Sequence, residues 1–208
     1  MSQVEEDLAS HRKFLNRSYR FTRHVYDLSR KYYLFGRDQV IDELATEKWN
    51  TLVEIGPGTG RNLKKILQRR PTAQLGGVEP CDEMLEHAKT RLPKVKMLQG
   101  FAETAEYGEL LSQPIDRILF SYCLSMVTDV GAALDNAYAS LAPGGEVVVV
   151  DFADLEGLPR FGSFGLRTWL KWFHVTPLDP QPILDRGGSI KYGPRRYYIV
   201  GRITKPIA

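Results

Sequence analysis

Three glycines and two acids are the residues best placed to do chemistry. In Glu54-Ile55-Gly56-Pro57-Gly58-Thr59-Gly60 the glycines permit a tight turn and let the backbone approach a ligand closely. Such a loop alone would equally suit a dinucleotide fingerprint, but the spacing here is G-x-G-x-G, and Arg61 stands where that fingerprint has its last glycine. Glu54, two residues ahead of Gly56, would repel a pyrophosphate and attract a cation. Glu79 follows Gly60 by nineteen residues, the separation at which an acid after a second strand reaches both hydroxyls of a ribose. The expected ligand carries a ribose and positive charge.

For this chemistry the loop and the acid must lie at strand ends, and the sequence supplies the strands. Thr51–Gly56 is a short apolar run stopped by glycine, and Asn62–Arg70 sets Leu63, Ile66 and Leu67 at helical spacing. Strand and helix patterns recur in Gln74–Glu79 and Cys81–Arg91, in Val95–Gln99 and Glu103–Leu111, and in Asp116–Ser121 and Asp129–Leu141. Glu146–Phe152 closes the series. Parallel strands need crossovers, almost always right-handed, so the pattern predicts an α/β fold, a doubly wound parallel sheet with helices on both faces. Ser189–Tyr192 and Arg196–Ile203, joined through Gly193-Pro194, predict an antiparallel hairpin. Ligands of open sheets bind beyond the carboxyl ends of the strands, where Glu54, the glycine loop and Glu79 fall.

With 208 residues and 43% hydrophobic content, the chain can build one domain with a core, and disorder is excluded for most of it. No apolar run reaches the ~20 residues that cross a bilayer, and the opening MSQVEEDLASHRKF lacks the apolar stretch of a signal peptide. The reading is a soluble, cytoplasmic protein. Cys81 and Cys123 make neither a disulfide framework nor a zinc site, and the histidines are scattered at His11, His24, His87 and His174, so no metal is expected. Residues 1–37 hold 8 bases against 4 acids, residues 38–156 hold 11 against 19, and residues 157–208 hold 9 against 2. Two basic ends around an acidic middle point to an anionic partner. The single domain divides into a helical cap over 1–45, a cofactor core over 46–156, and an aromatic-basic helix with terminal strands over 157–208.

A cationic ribose ligand bound without phosphate-binding features fits S-adenosylmethionine, whose sulfonium and ammonium are both positive. Val53-Glu-Ile-Gly-Pro-Gly-Thr-Gly60, followed by Gly77-Val-Glu-Pro80, closely resembles the first two motifs of the class I methyltransferases. The likeness runs over residues 51–152 and includes Gln99–Glu103 and Leu141–Gly145. It implies a Rossmann-like sheet of seven strands, mostly parallel with antiparallel strands at the C-terminus. It also implies that Glu54, Gly56, Pro57, Gly58 and Gly60 bind the cofactor and that Glu79 binds the ribose. Pro80 and Met84 would flank the adenine, and the backbone at Phe101-Ala102 would meet its edge; a helix-core role is the other reading of Met84. Phe101 stands where many relatives have an aspartate, so a ring contact would replace that polar one.

The methyl acceptor must be read from the chain's ends. Arg12–Tyr33 reads as a basic amphipathic helix with Leu15, Tyr19, Thr22, Tyr26 and Tyr33 on one side. Leu158–Pro177 sets Phe161, Phe164, Trp169, Trp172 and Phe173 beside Arg160, Arg167 and Lys171 with no acid, a composition the lipid headgroup layer favours; rings packed on the sheet are the other reading. Tyr26–Asp38, Phe120–Met126 and Trp172–Pro177 resemble the bacterial enzymes that methylate the amine of diacylglyceryl homoserine to a betaine lipid. That resemblance implies a lipid substrate, an anionic membrane surface as partner at the membrane's inner face, and Tyr33, Arg37 and Ser121 beside the cofactor. Asp151, Tyr122 and Ser125 are candidates by position for receiving the amine proton. Tyr19, Tyr26, Tyr32, Tyr33 and Tyr122 are candidates for a cage around a methylated ammonium. Phosphatidylethanolamine, a quinone precursor or a soluble amine remain open as acceptors, as does a non-catalytic cofactor-binding membrane protein. No base-reading motif is present, so nucleic acid is not an expected partner.

Overall fold

A strand built on Val147–Val150 has no polar side to offer water and must be covered on both faces. The computed structural model describes residues 34–157 and 176–207 and places this run inside a seven-stranded sheet. In chain order the elements are α1 (Arg37–Thr46), β1 (Thr51–Ile55), α2 (Arg61–Arg69), β2 (Gln74–Glu79), α3 (Asp82–Arg91), β3 (Lys96–Gln99), β4 (Ile115–Ser121), α4 (Val130–Ser140), β5 (Leu141–Phe152), α5 (Gln181–Leu184), β6 (Ser189–Tyr192) and β7 (Tyr198–Thr204). The strand order is β3-β2-β1-β4-β5-β7-β6; β1 to β5 pair parallel, and β7 runs antiparallel between β5 and β6.

Successive strand residues point to opposite faces, and two cores follow from that alternation. Val147 and Val149 pack with Ile118, Phe120, Leu134 and Ala137, while Val148, Val150 and Phe152 pack with Val40, Ile41, Leu44, Leu63 and Ile66. Thus α4 covers one face and α1 with α2 the other. Helix α1 straddles the expected cap boundary at residue 45, burying Val40, Ile41 and Leu44 completely or nearly so. Arg61 grips Asp38 through two hydrogen bonds of 2.9 and 3.0 Å, Lys65 meets the same carboxylate at 2.8 Å, and Arg69 meets Asp42 at 2.6 Å. Arg202 of β7 joins Glu43, Glu47 and Glu146, tying the end of α1 to the sheet.

One expected element is different. Instead of a helix over Glu103–Leu111 there are turns and a single 3-10 turn at Tyr107–Glu109. The backbone carbonyls that a helix would use are taken by side chains: the Tyr107 hydroxyl donates to Ala102, and Asn136 Nδ2 donates to Ala102 and Ala105 at 3.0 Å each. Glu103 is likewise diverted, accepting from the amides of Thr128 and Asp129 at the start of α4, whose N-cap Asp129 accepts from Ala132 N at 2.9 Å. The expected hairpin is present, with Tyr192 opposite Ile199. Around the carboxyl rim of the sheet, Ala153 N and Leu155 N donate to the carbonyls of Tyr197 and Arg196, and Leu178 N donates to Phe152 at 2.8 Å. The chain therefore leaves the described residues near Gly157 and returns near Thr176 from anchors on one rim.

Truncating either core should be equally costly. Leu44→Ala and Leu134→Ala, both fully buried, should each lower unfolding stability by ~2–5 kcal/mol in urea titrations, whereas Ile207→Ala, 85% exposed, should change it by less than ~0.5 kcal/mol.

Candidate active site

The strand order reverses between β1 and β4, and the polar residues buried at that point form a connected group. Glu54, at the fourth position of β1, is 1% exposed. Its Oε1 accepts from Asn62 Nδ2 at 2.7 Å, and the same amide donates to Ser121 Oγ at the end of β4 at 3.1 Å. Its Oε2 is buried without a hydrogen-bond partner among the described residues. A buried acceptor left unpaired costs about 1–3 kcal/mol, so this oxygen is poised for a donor beyond them. Burial pushes the Glu54 carboxyl up to about 7; the Asn62 amide and the Arg37 charge oppose that rise, and Glu79 adds to it.

Glu79 ends β2 on the neighbouring strand and is 5% exposed. Its two oxygens accept from Gly58 N at 2.9 Å and Cys81 N at 3.1 Å, so the acid clasps the glycine loop from the side. That loop turns through left-handed residues at Gly56, Gly58 and Gly60. A side chain at Gly56 would strike Cβ of Cys123 at 2.8 Å, whereas one at Gly58 would meet nothing within 4 Å among the described residues, so Gly58 borders space that they leave open. Pro80 follows Glu79 half-buried, and Met84 is 4% exposed on α3. Pro57 is buried, and Ala102, 5% exposed, follows Phe101 on the adjoining loop. These residues fit a cationic, ribose-bearing group such as S-adenosylmethionine: the Glu54 oxygen has no donor among the described residues, Glu79 carries acceptor oxygens for hydroxyls, and Gly58 leaves the loop open beside them.

Arg37 opens α1 at 8% exposure, where its charge acts on both Glu54 and Tyr122. The three acceptor-side candidates within the described residues are brought together. Asp151 is fully buried and takes hydrogen bonds from Ser125 N at 3.0 Å, Ser125 Oγ at 2.8 Å and its neighbour Phe152 N at 2.8 Å. Burial pushes its carboxyl up to about 6, against the pull of those donors. Tyr122, left-handed at φ 56°, donates its hydroxyl to the Phe35 carbonyl, and burial pushes that hydroxyl well above its ordinary value. Tyr122 is therefore unsuited to accept a proton; what it offers is its ring, which meets Phe152 edge-on at 4.7 Å. Asp151 holds the turn after β4 through Ser125 rather than pointing a vacant oxygen outward.

Tyr26, Tyr32 and Tyr33, the Arg12–Tyr33 helix and residues 158–175 of the aromatic-basic stretch lie outside the described residues. Asn62 was not singled out in the sequence, although it couples Glu54 to Ser121. An asparagine next to a glycine turn reads as a helix cap, which hides its inward role. Among the described residues no group of three or more His, Cys, Asp or Glu could hold a metal ion, and no helix is long and apolar enough to cross a membrane.

Residues 53–147 match the family model described as Methyltransferase domain. The ubiquinone/menaquinone biosynthesis C-methyltransferase of Cereibacter sphaeroides is 29% identical over 159 residues, covering 75% of this chain and 62% of that protein. The chain thus spans less than two thirds of that relative's length. Demethylmenaquinone methyltransferase of Thermus thermophilus is 27% identical over 179 residues, covering 81% of this chain and 78% of that protein. Among solved structures, a SAM-dependent methyltransferase of Thermotoga maritima, titled a possible histamine N-methyltransferase, aligns with TM-score 0.65 at 20% identity over 90% of this chain and 98% of that one. With the sheet order, the glycine turn and the paired acids already in place, these matches show that the chain has the fold of the class I methyltransferases and that residues 53–147 are similar to a methyltransferase domain.

Proposed function

We propose that this protein methylates the amine of a membrane-lipid headgroup, with diacylglyceryl homoserine as acceptor and a trimethylated betaine as product. The observation that carries this reading is the position of Gly36-Arg37-Asp38. These residues end the Tyr26–Asp38 run whose likeness to the betaine-lipid enzymes is specific, and Arg37 is buried beside Glu54 and Tyr122. The paired Asp38 fixes α1, and with it Arg37, against α2. A second reading, methylation of a quinone precursor, is favoured by the names of the two curated relatives.

When bound, S-adenosylmethionine supplies an already activated methyl group. Glu54 and Glu79 would hold its ammonium and ribose, the backbone of the glycine turn would pass beside it, and Arg37 would neutralise a carboxylate. The chain's remaining task is to present the acceptor nitrogen in line and neutral. An amine with a reference value near ~8 is mostly protonated at neutral pH, so each transfer releases one proton overall. Asp151, ionised above about 6 and fully buried, adds negative charge behind the acceptor side and favours successive cationic products.

Three outcomes test this account. A methyl-labelled cofactor incubated with a lipid panel should label diacylglyceryl homoserine; label confined to quinone precursors selects the second reading, and label found only in water-soluble amines rejects the lipid acceptor. Glu79→Ala should weaken cofactor binding by ~1–3 kcal/mol in calorimetry, and an unchanged dissociation constant removes Glu79 from the ribose site. Glu54 should make cofactor affinity rise as pH climbs through about 7, because the cation prefers the ionised carboxylate and binding expels its proton. Its folded-state value lies above the ordinary 4.5, so its contribution to ligand-free stability is present below that value and lost as pH rises through about 7. Glu54→Gln should flatten both profiles.

A further inference from the structure

The four left-handed residues other than glycine among the described residues are Tyr122, Leu155, Arg195 and Arg196, with φ of 56°, 62°, 55° and 51°. All four lie at the carboxyl rim of the sheet. Tyr122 directly follows β4, Leu155 follows β5, and the two arginines form the turn between β6 and β7, which the antiparallel pairing brings to the same end. Side chains rarely adopt this backbone, and where it persists it accompanies function. Glycine would fit the turn, yet arginine stands twice in succession there.

The same rim gathers exposed apolar surface. Of the four large hydrophobic side chains exposed among the described residues, Phe35 at 55% and Tyr192 at 36% sit here. The Phe35 ring meets Tyr197 edge-on at 5.1 Å, and Arg196 stacks over Tyr192 at 3.9 Å. Asp154 pairs with Arg196, and Glu156 is the other acid acting on it. Lys191 and Arg195 are exposed and have no ion-pair partner among the described residues. Exposed rings ringed by outward cations are the composition that suits the headgroup layer of an anionic bilayer.

We propose that the β6–β7 turn, with Lys191, Tyr192 and Arg195, and the neighbouring Phe35 form a docking surface for an anionic lipid bilayer, so that the mouth of the active site faces the membrane. This rests on the lipid-acceptor reading, since a soluble acceptor would need no such orientation. The left-handed turn pushes Arg195 outward ahead of the strands, where its charge reaches the phosphates. Tyr192 and Phe35 then enter the interface beside it, and an acceptor headgroup can reach the site without its acyl chains leaving the lipid.

The test uses the full chain with vesicles of phosphatidylglycerol and phosphatidylcholine in equal parts, set against pure phosphatidylcholine. Wild-type protein should sediment with the anionic vesicles and be released by salt. Lys191→Glu with Arg195→Glu should weaken that binding by about tenfold or more. Tyr192→Ser should weaken it further, with cofactor affinity by calorimetry unchanged. Arg195→Gly separates this role from a structural one: relieving the left-handed turn should raise the melting temperature by a few degrees while vesicle binding falls. Vesicle binding by the charge-reversed or glycine variants equal to wild type overturns the proposal. If wild type labels diacylglyceryl homoserine but these variants dock normally, the docking surface is wrong and the acceptor stands; if the variants lose docking while no lipid is ever labelled, the acceptor is wrong and the surface stands.

Discussion

A carboxylate buried with one oxygen unpaired is the constraint on which this molecule turns. Glu54 sits inside a strand, out of reach of water, with the Asn62 amide donating to one of its oxygens. Keeping it there costs free energy, so the surrounding elements must be stable enough to hold it. The valine strand inside the sheet and the two cores it divides supply that stability. Glu79 repeats the arrangement one strand away, with the backbone amides of Gly58 and Cys81 in place of solvent. The cost of burying two acids side by side is reduced by any cation that enters between loop and strand ends, which makes this corner of the fold selective for positive charge.

The second demand is that the approach to this pair be fixed. Helix α1 does so by lying across α2, with Asp38 held well below the ordinary carboxylate range by Arg61 and Lys65. Exposed ion pairs contribute little alone, ~0–1 kcal/mol each, but these share one carboxylate and sit above a packed apolar face. The result is that Arg37, one residue earlier, is held on the same buried face of the helix as Val40, Ile41 and Leu44, at the end nearest the site. At the end of β4, Asp151 and Ser125 do the equivalent work for the turn, beside the buried rings of Tyr122 and Phe152.

The sheet was legible from period alone: Gln74–Glu79 and Ser189–Tyr192 coincide with the expected strands, and the other strands shared with the sequence reading differ at their ends by only a few residues, β5 apart, because apolar runs bounded by glycine or helix starts leave few alternatives. Its third crossover segment was not, since Glu103–Leu111 has helical spacing but spends its hydrogen bonds on Asn136 and on the cap of α4, contacts made across the fold. In the site, Glu54, Glu79 and the glycines could be picked out because their types are unusual at strand ends. Asn62 could not, nor could the commitment of the Tyr122 hydroxyl to Phe35, because both depend on partners 59 and 87 positions away. The start of β5 ran earlier than Glu146 because Leu141 pairs with Ile115 across an irregular register that no local pattern announces.

The paired anchors at Leu155 and Leu178 carry an evolutionary implication. Both are secured by main-chain amides to carbonyls of the rim, so the join is indifferent to the identity of the side chains strung between them. A stretch inserted at such a junction can lengthen, shrink or be exchanged for an unrelated one while the nucleoside pocket keeps its shape. Divergence among cousins of this fold can then proceed as modular replacement at a single seam, leaving the sheet untouched.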